Sequence, residues 1–139
     1  MVDPTLKILV VDDNPATRRG LRLLLSLEDD VGEILEASGG KEAERLAAQE
    51  HPNVVLLDVR MPGMSGIETA RLIKNQDPNV HLVAMSMVAD SKTAALGAGA
   101  DLFVEKTQLV AEIRSVLDWI PQQALASSEA ESDSGPDEG

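Results

Sequence analysis

The sequence predicts an α/β fold, a doubly wound five-stranded parallel sheet with helices on both faces. Three observations predict it. Five short apolar runs alternate with five stretches of helical spacing, the order of elements that βαβ units require. The runs at Leu6–Val11 and Val54–Leu57 are near-continuous in apolar character, as expected of strands covered on both faces. The connections are short, so each helix has to pack back on the sheet it has just left.

Taken in order, Leu6-Lys7-Ile8-Leu9-Val10-Val11 forms the first strand and ends in Asp12-Asp13. Asn14-Pro15 then supplies an N-cap and a first-turn proline, and Leu21, Leu24 and Leu25 carry a helix to about Glu28. Glu33–Ala37 is short and contains acids, which suits an edge strand. Ser38-Gly39-Gly40 turns the chain into a helix bearing Ala43, Leu46 and Ala47, which stops before His51-Pro52. Val54-Val55-Leu56-Leu57 runs straight into Asp58, and Pro62-Gly63 prevents the strand from continuing. Ser65 and Glu68 have capping-box spacing for a third helix, with Gly66, Ala70 and Ile73 on one face. Asp77-Pro78-Asn79 breaks that helix.

Val80–Ser86 forms the fourth strand. Asp90 or Ser91 caps a helix weakened by Gly97 and Gly99. Asp101–Glu105 is the fifth strand, ending at Lys106. Thr107 caps a last helix with Leu109, Ile113, Val116, Leu117 and Ile120 on one face. Residues 1–120 therefore read as one domain, and residues 121–139, with Leu125 as their only large apolar residue, as an acidic, disordered tail or linker.

The net charge is -12, and residues 121–139 hold five acids and no base. Such a surface disfavours nucleic acid as a partner. The chain has no cysteine, which removes thiolate and disulfide chemistry. It shows no apolar run of membrane-spanning length and no leader-like N-terminus, so a cytoplasmic setting is expected. The aromatic residues are Phe103 and Trp119 alone, so the core is aliphatic. His51 and His81 have no ligand partners at useful spacing.

In sheets of this kind, ligands bind beyond the carboxyl ends of the strands. Asp12, Asp13, Asp58, Ser86 and Lys106 all fall at that edge. Clustered carboxylates repel one another, and a hard divalent cation bound through oxygen relieves the repulsion; Mg²⁺ suits, since it retains waters and leaves room for a phosphoryl group. Lys106 adds a point charge and Ser86 a hydroxyl donor. A carboxylate beside a metal, a cation and a hydroxyl is suited to accept a phosphoryl group.

Asp12-Asp13, Asp58 with Met61-Pro62-Gly63, Ser86, Phe103 and Lys106 together resemble the receiver domain of two-component response regulators, over about residues 5 to 120. The resemblance implies the strand order 2-1-3-4-5 and phosphorylation of Asp58 by a sensor histidine kinase or a phosphotransfer protein. It implies Mg²⁺ bound by Asp13, Asp58 and the backbone carbonyl of Arg60, with Asp12 acting through a metal-bound water. Lys106 would hold the phosphoryl oxygens. Ser86 and Phe103 would form a switch pair that alters the surface of helix 4, strand 5 and helix 5. The resemblance also admits a phosphorylation-dependent homodimer, assigns no membrane contact, and leaves the output target open. Such a domain catalyses only its own phosphorylation and dephosphorylation and has no separate substrate.

Two other readings share these residues. A Mg²⁺-dependent phosphohydrolase with an Asp nucleophile usually shows an Asp-x-Asp pair after its first strand, whereas Asp12-Asp13 is adjacent. A pseudo-receiver that binds without taking phosphate is opposed by the intact acid set. Thr107 follows Lys106 where proline is common in the family, and the Lys106-Thr107 bond is expected to be trans, because a cis bond before a non-proline residue costs ~3 kcal/mol.

Overall fold

A computed structural model of the chain describes residues 5–61 and 65–134, with residues 121–134 described through their backbone alone. The chain divides into two compact units, Met1–Gln108 and Leu109–Gly139.

The first unit carries a five-stranded sheet: β1 (Leu6–Val11), β2 (Val31–Ala37), β3 (Val54–Asp58), β4 (His81–Ser86) and β5 (Leu102–Glu105). The spatial order is β2-β1-β3-β4-β5 and every neighbouring pair is parallel. β2 is an edge strand, as its internal acids predict. Between the strands run α1 (Pro15–Ser26), α2 (Gly40–Glu50), α3 (Gly66–Gln76) and α4 (Lys92–Gly97).

The order fixes the layers. The path from β1 to β2 runs one way along the sheet, whereas β2 to β3 and the later crossovers run the other way. Right-handed connections then send α1 to one face and α2, α3 and α4 to the opposite face. Alternating strand residues divide accordingly. Leu9, Val11, Val55, Leu57, Leu82 and Ala84 share a buried cluster with Ala43 and Ala47 of α2, Ala70 and Ile73 of α3 and Ala95 of α4. Ile8, Val10, Leu56, Val83 and Met85 are buried as well and fall on the other face, where α1 contributes Leu21 and Leu25. The reversal between β1 and β3 opens the crevice in which ligands of such sheets bind.

Local signals place the helices. Asn14 caps α1, its side-chain oxygen accepting from Ala16 N (2.9 Å) and Thr17 N (3.2 Å), and Pro15 takes the first helical position. Ser65 caps α3 by accepting from Glu68 N at 3.1 Å. Helix α2 ends at His51, whose φ of 52° is left-handed and whose N–H bonds Ala47 O, the common way to satisfy a last-turn carbonyl.

Several expectations are corrected in detail. α1 ends at Ser26 instead of Glu28, and β2 begins at Val31 instead of Glu33, because Leu6 pairs with Val31 across a register shift that extends the ladder. A 3-10 turn at Ala89–Ser91 precedes α4, and Ser91 makes no side-chain cap bond. The last helix, α5 (Lys106–Ser134), starts at Lys106 instead of after a Thr107 cap. Its backbone also continues past Pro121 to Ser134, where the sequence reading places a disordered tail. Gln, Ala, Leu and Glu between 122 and 132 are good helix formers and account for the continuation. Residues 135–139 of that tail, and the turn expected at Pro62-Gly63, lie outside the described residues.

Candidate functional site

Three strand ends and one helix start meet at the carboxyl edge of the sheet. β1 and β3 are neighbours in register from Ile8–Val54 to Val11–Leu57, so Asp12, one residue past β1, comes level with Asp58 at the end of β3. Asp12 is fully buried and Asp58 nearly so, while Asp13 faces outward. One carboxylate oxygen from each of Asp12, Asp13 and Asp58 lies within 4.8 Å of the other two.

Lys106 reaches into this cluster from the end of β5. Its Nζ lies 2.6 Å from Asp12 Oδ2 and 2.9 Å from Asp58 Oδ2. The contact to Asp58 is a hydrogen bond. The contact to Asp12 is closer, yet Asp12 Oδ2 has no aligned donor, so it is better described as an ion pair than as a directional bond. Burial works against the charge on Lys106, but the paired carboxylates of Asp12 and Asp58 outweigh it and hold its pKa above the usual lysine value. The ammonium therefore persists throughout the neutral range.

The other carboxylate oxygens of Asp12 and Asp58 are held by the backbone. Asp12 Oδ1 accepts from Asn14 N at 2.9 Å and Asp58 Oδ1 from Arg60 N at 2.9 Å. Gly66, the first residue of α3, permits a close approach of that helix: a Cβ there would come 2.5 Å from Asp58 O and would overlap Val59. The helix start thus packs on the peptide that carries Asp58.

Ser86 ends β4 and is fully buried. Asp58 pairs with Met85 in the β3–β4 ladder, so Ser86 stands one residue beyond the level of Asp58. Its Oγ accepts from Val88 N at 3.3 Å, which leaves the hydroxyl proton available for donation. Phe103 is half-buried against the cluster that includes Ala84 and Ala95. The β4–β5 ladder pairs Ala84 with Phe103 and Ser86 with Glu105, so Ser86 and Phe103 lie on the same sheet face on adjacent strands. Arg60 Nη1 donates to Asp90 Oδ1 at 3.3 Å, and both side chains are exposed. No peptide bond among the described residues is cis, Lys106-Thr107 included.

The donor set fits a hard divalent cation. Three carboxylates against one ammonium leave two negative charges uncompensated, and a further cation shared by the three would relieve their repulsion. Only oxygen atoms are offered, which suits Mg²⁺ better than a softer metal.

Two residues that support the site have no place in the sequence reading of it. Gly66 was legible there only as part of a helix face, and Arg18 not at all. Arg18 Nη1 donates to the backbone carbonyl of Asp12 at 2.6 Å, and its Nε donates to Glu36 Oε1 at 3.1 Å. A cation in the first turn of a helix opposes the helix dipole, and that was the signal available.

Known proteins resemble this chain in both sequence and fold. The response regulator receiver domain profile matches residues 8–118. The transcriptional regulatory protein LiaR of Bacillus subtilis is 36% identical over 115 residues, covering 81% of this chain and 54% of LiaR. The nitrate/nitrite response regulator NarL of Escherichia coli is 31% identical over 125 residues, covering 88% of this chain and 58% of NarL. The chain thus spans about half the length of these curated relatives. Among solved structures, the signal receiver domain of the putative response regulator NarL from Mycobacterium tuberculosis superposes with a TM-score of 0.78 at 32% identity, covering 86% of this chain and 98% of that one. The response regulator domain of Thermotoga maritima CheB gives 0.75 at 27% identity, covering 85% and 95%.

Proposed function

This chain belongs to the response regulator receiver domain family, and on that premise we propose that Asp58 accepts a phosphoryl group from the phosphohistidine of a sensor kinase or phosphotransfer protein in the cytoplasm. The observation that carries the reading is the position of Lys106, held between two buried carboxylates at 2.6 and 2.9 Å. A carboxylate oxygen of Asp58 forms the bond to phosphorus as the bond from phosphorus to the donor's imidazole nitrogen breaks. The imidazole leaves with the electron pair. Lys106 then exchanges a carboxylate contact for the phosphoryl oxygens, with little movement of its amine.

Asp13, Asp58 and the Arg60 carbonyl are the residues that would hold Mg²⁺, with Asp12 contributing through a water. When bound, the ion supplies positive charge that offsets the carboxylate and phosphoryl charges as they approach. Ser86 donates its hydroxyl to a phosphoryl oxygen, and the movement loosens the Ala84–Phe103 region of the β4–β5 ladder. Helix α4, six residues long and preceded by an uncapped 3-10 turn, is the element this shift reaches most easily. The chain turns over no substrate besides its own phosphate. The receiver comprises residues 1–120, and the acidic segment 121–139 serves as a linker or tail.

The test is incubation with acetyl phosphate and Mg²⁺, followed by intact-mass spectrometry. The wild-type chain gains one phosphoryl group only when Mg²⁺ is present, and Asp58→Asn gains none. Equal uptake by the two proteins would remove Asp58 from the role of acceptor.

A further inference from the structure

Arg18 joins the acidic site to a second charge cluster that the proposed chemistry does not use. Its guanidinium forks: Nη1 donates to Asp12 O at 2.6 Å and Nε to Glu36 Oε1 at 3.1 Å. Glu36 in turn takes Arg22 Nε on its other oxygen at 2.5 Å, and Arg22 Nη2 donates to Ile34 O at 2.9 Å. Arg18 is only 17% exposed, so this is not a loose surface pair. Its place in the first turn of α1 is unfavourable for a cation, a cost its specific partners must offset.

The carbonyl it holds belongs to the peptide that joins Asp12 to Asp13. On the other side of Asp12, the backbone N–H donates to Ala37 O at 3.1 Å. The exit of β1 is therefore fixed at both ends of one residue, from β2 on the N–H side and from α1 on the C=O side. With that peptide plane set, the direction in which Asp13 leaves the backbone is set too. Asp13 is the exposed member of the carboxylate trio, without the burial that orients Asp12 and Asp58.

We propose that Arg18 is a positioning residue of the cation site: it orients the Asp12-Asp13 peptide so that the Asp13 carboxylate converges with those of Asp12 and Asp58, and Glu36 holds its guanidinium in place. This rests on the reading of the acidic trio as a Mg²⁺ site. Simple electrostatics makes the opposite prediction for the same residue, since removing a nearby positive charge should favour cation binding. The two accounts thus differ in sign. Supports one shell out from a metal commonly contribute 10- to 100-fold in affinity.

The experiment is titration of the full chain with Mg²⁺ alone, by calorimetry, with circular dichroism to verify folding. Arg18→Ala should bind roughly tenfold more weakly than wild type, at the low end of that range. Arg22→Ala, which removes an equal charge bonded to the same Glu36 but not to Asp12, should bind as tightly as wild type or more tightly. Arg18→Lys keeps the charge and loses the fork, so it should be weakened severalfold; it decides the matter if Arg18→Ala does not fold. Binding by both Arg18 variants as tight as wild type, or tighter, would overturn the positioning role while leaving the Mg²⁺ site standing. Absence of Mg²⁺ binding by the wild-type chain would overturn the site and this role together.

Discussion

Lys106 Nζ and Asp58 Oδ2, 48 residues apart in sequence, lie 2.9 Å apart at the carboxyl edge of the sheet. The same amine contacts Asp12 Oδ2, so one cation compensates two buried carboxylates. Its removal leaves both with backbone N–H partners but no compensating charge in a poorly solvated place.

Lys106→Ala should accordingly lower the unfolding free energy by about 3 kcal/mol in the absence of divalent cation, the cost expected when one side of a buried ion pair is deleted. Urea denaturation measures it. Saturating Mg²⁺ should recover part of the loss, since a ligand that binds the folded state stabilises it by mass action. An unchanged midpoint and slope without Mg²⁺ would mean that the amine is not needed to hold the acids.

Gly66→Ala should destabilise the protein by about 2 kcal/mol, within the range for overpacking a tight contact. The added Cβ meets the backbone at Asp58 O and Val59, and neither can rotate aside as a flexible side chain would. Phosphorylation of the variant by acetyl phosphate should slow as well, because α3 can retreat only by disturbing the peptide that presents Asp58. A melting temperature equal to that of wild type would show that α3 approaches β3 less closely.

Glu36 provides a pH dependence of defined sign. The hydrogen bond from Arg22 lowers its pKa most, burial opposes the shift, and the bond from Arg18 adds to the lowering. With the folded value below the unfolded one, the stabilisation from this charge is present in full above the unfolded pKa of about 4.3. It is lost as pH falls through the folded value. Glu36→Gln should therefore be less stable than wild type at pH 7, with the gap closing as denaturation is repeated toward pH 3. A gap that stays constant over that range would place the effect in packing instead of charge.

The sequence by itself determined where the strands lie and what chemistry their ends offer. Val54–Leu57 is apolar throughout because both faces of β3 are covered, and the first acid after such a run has to stand at the strand's mouth. The same logic applies to Asp12 after Val11. Pro15 behind Asn14, and Ser65 three residues before Glu68, mark helix starts through groups that bond within a few residues of themselves. All of this is local, and local spacing is visible in a chain read from end to end. The low apolar content past Pro121 argues against burial and so predicts a tail, whereas helix formation in 122–132 depends on intrinsic propensity.

Only the tertiary structure decided which distant groups share an atom. That Lys106 contacts Asp12 as well as Asp58 depends on β1 and β3 being neighbours in register. That Gly66 admits no Cβ depends on where α3 comes to rest on the Asp58 peptide. Arg18 binding the carbonyl of Asp12 while holding Glu36 requires α1, β1 and β2 to be assembled first. Hydrogen bonds to main-chain carbonyls leave no pattern in side-chain sequence, since every residue has a carbonyl and the fold alone selects which one is reached.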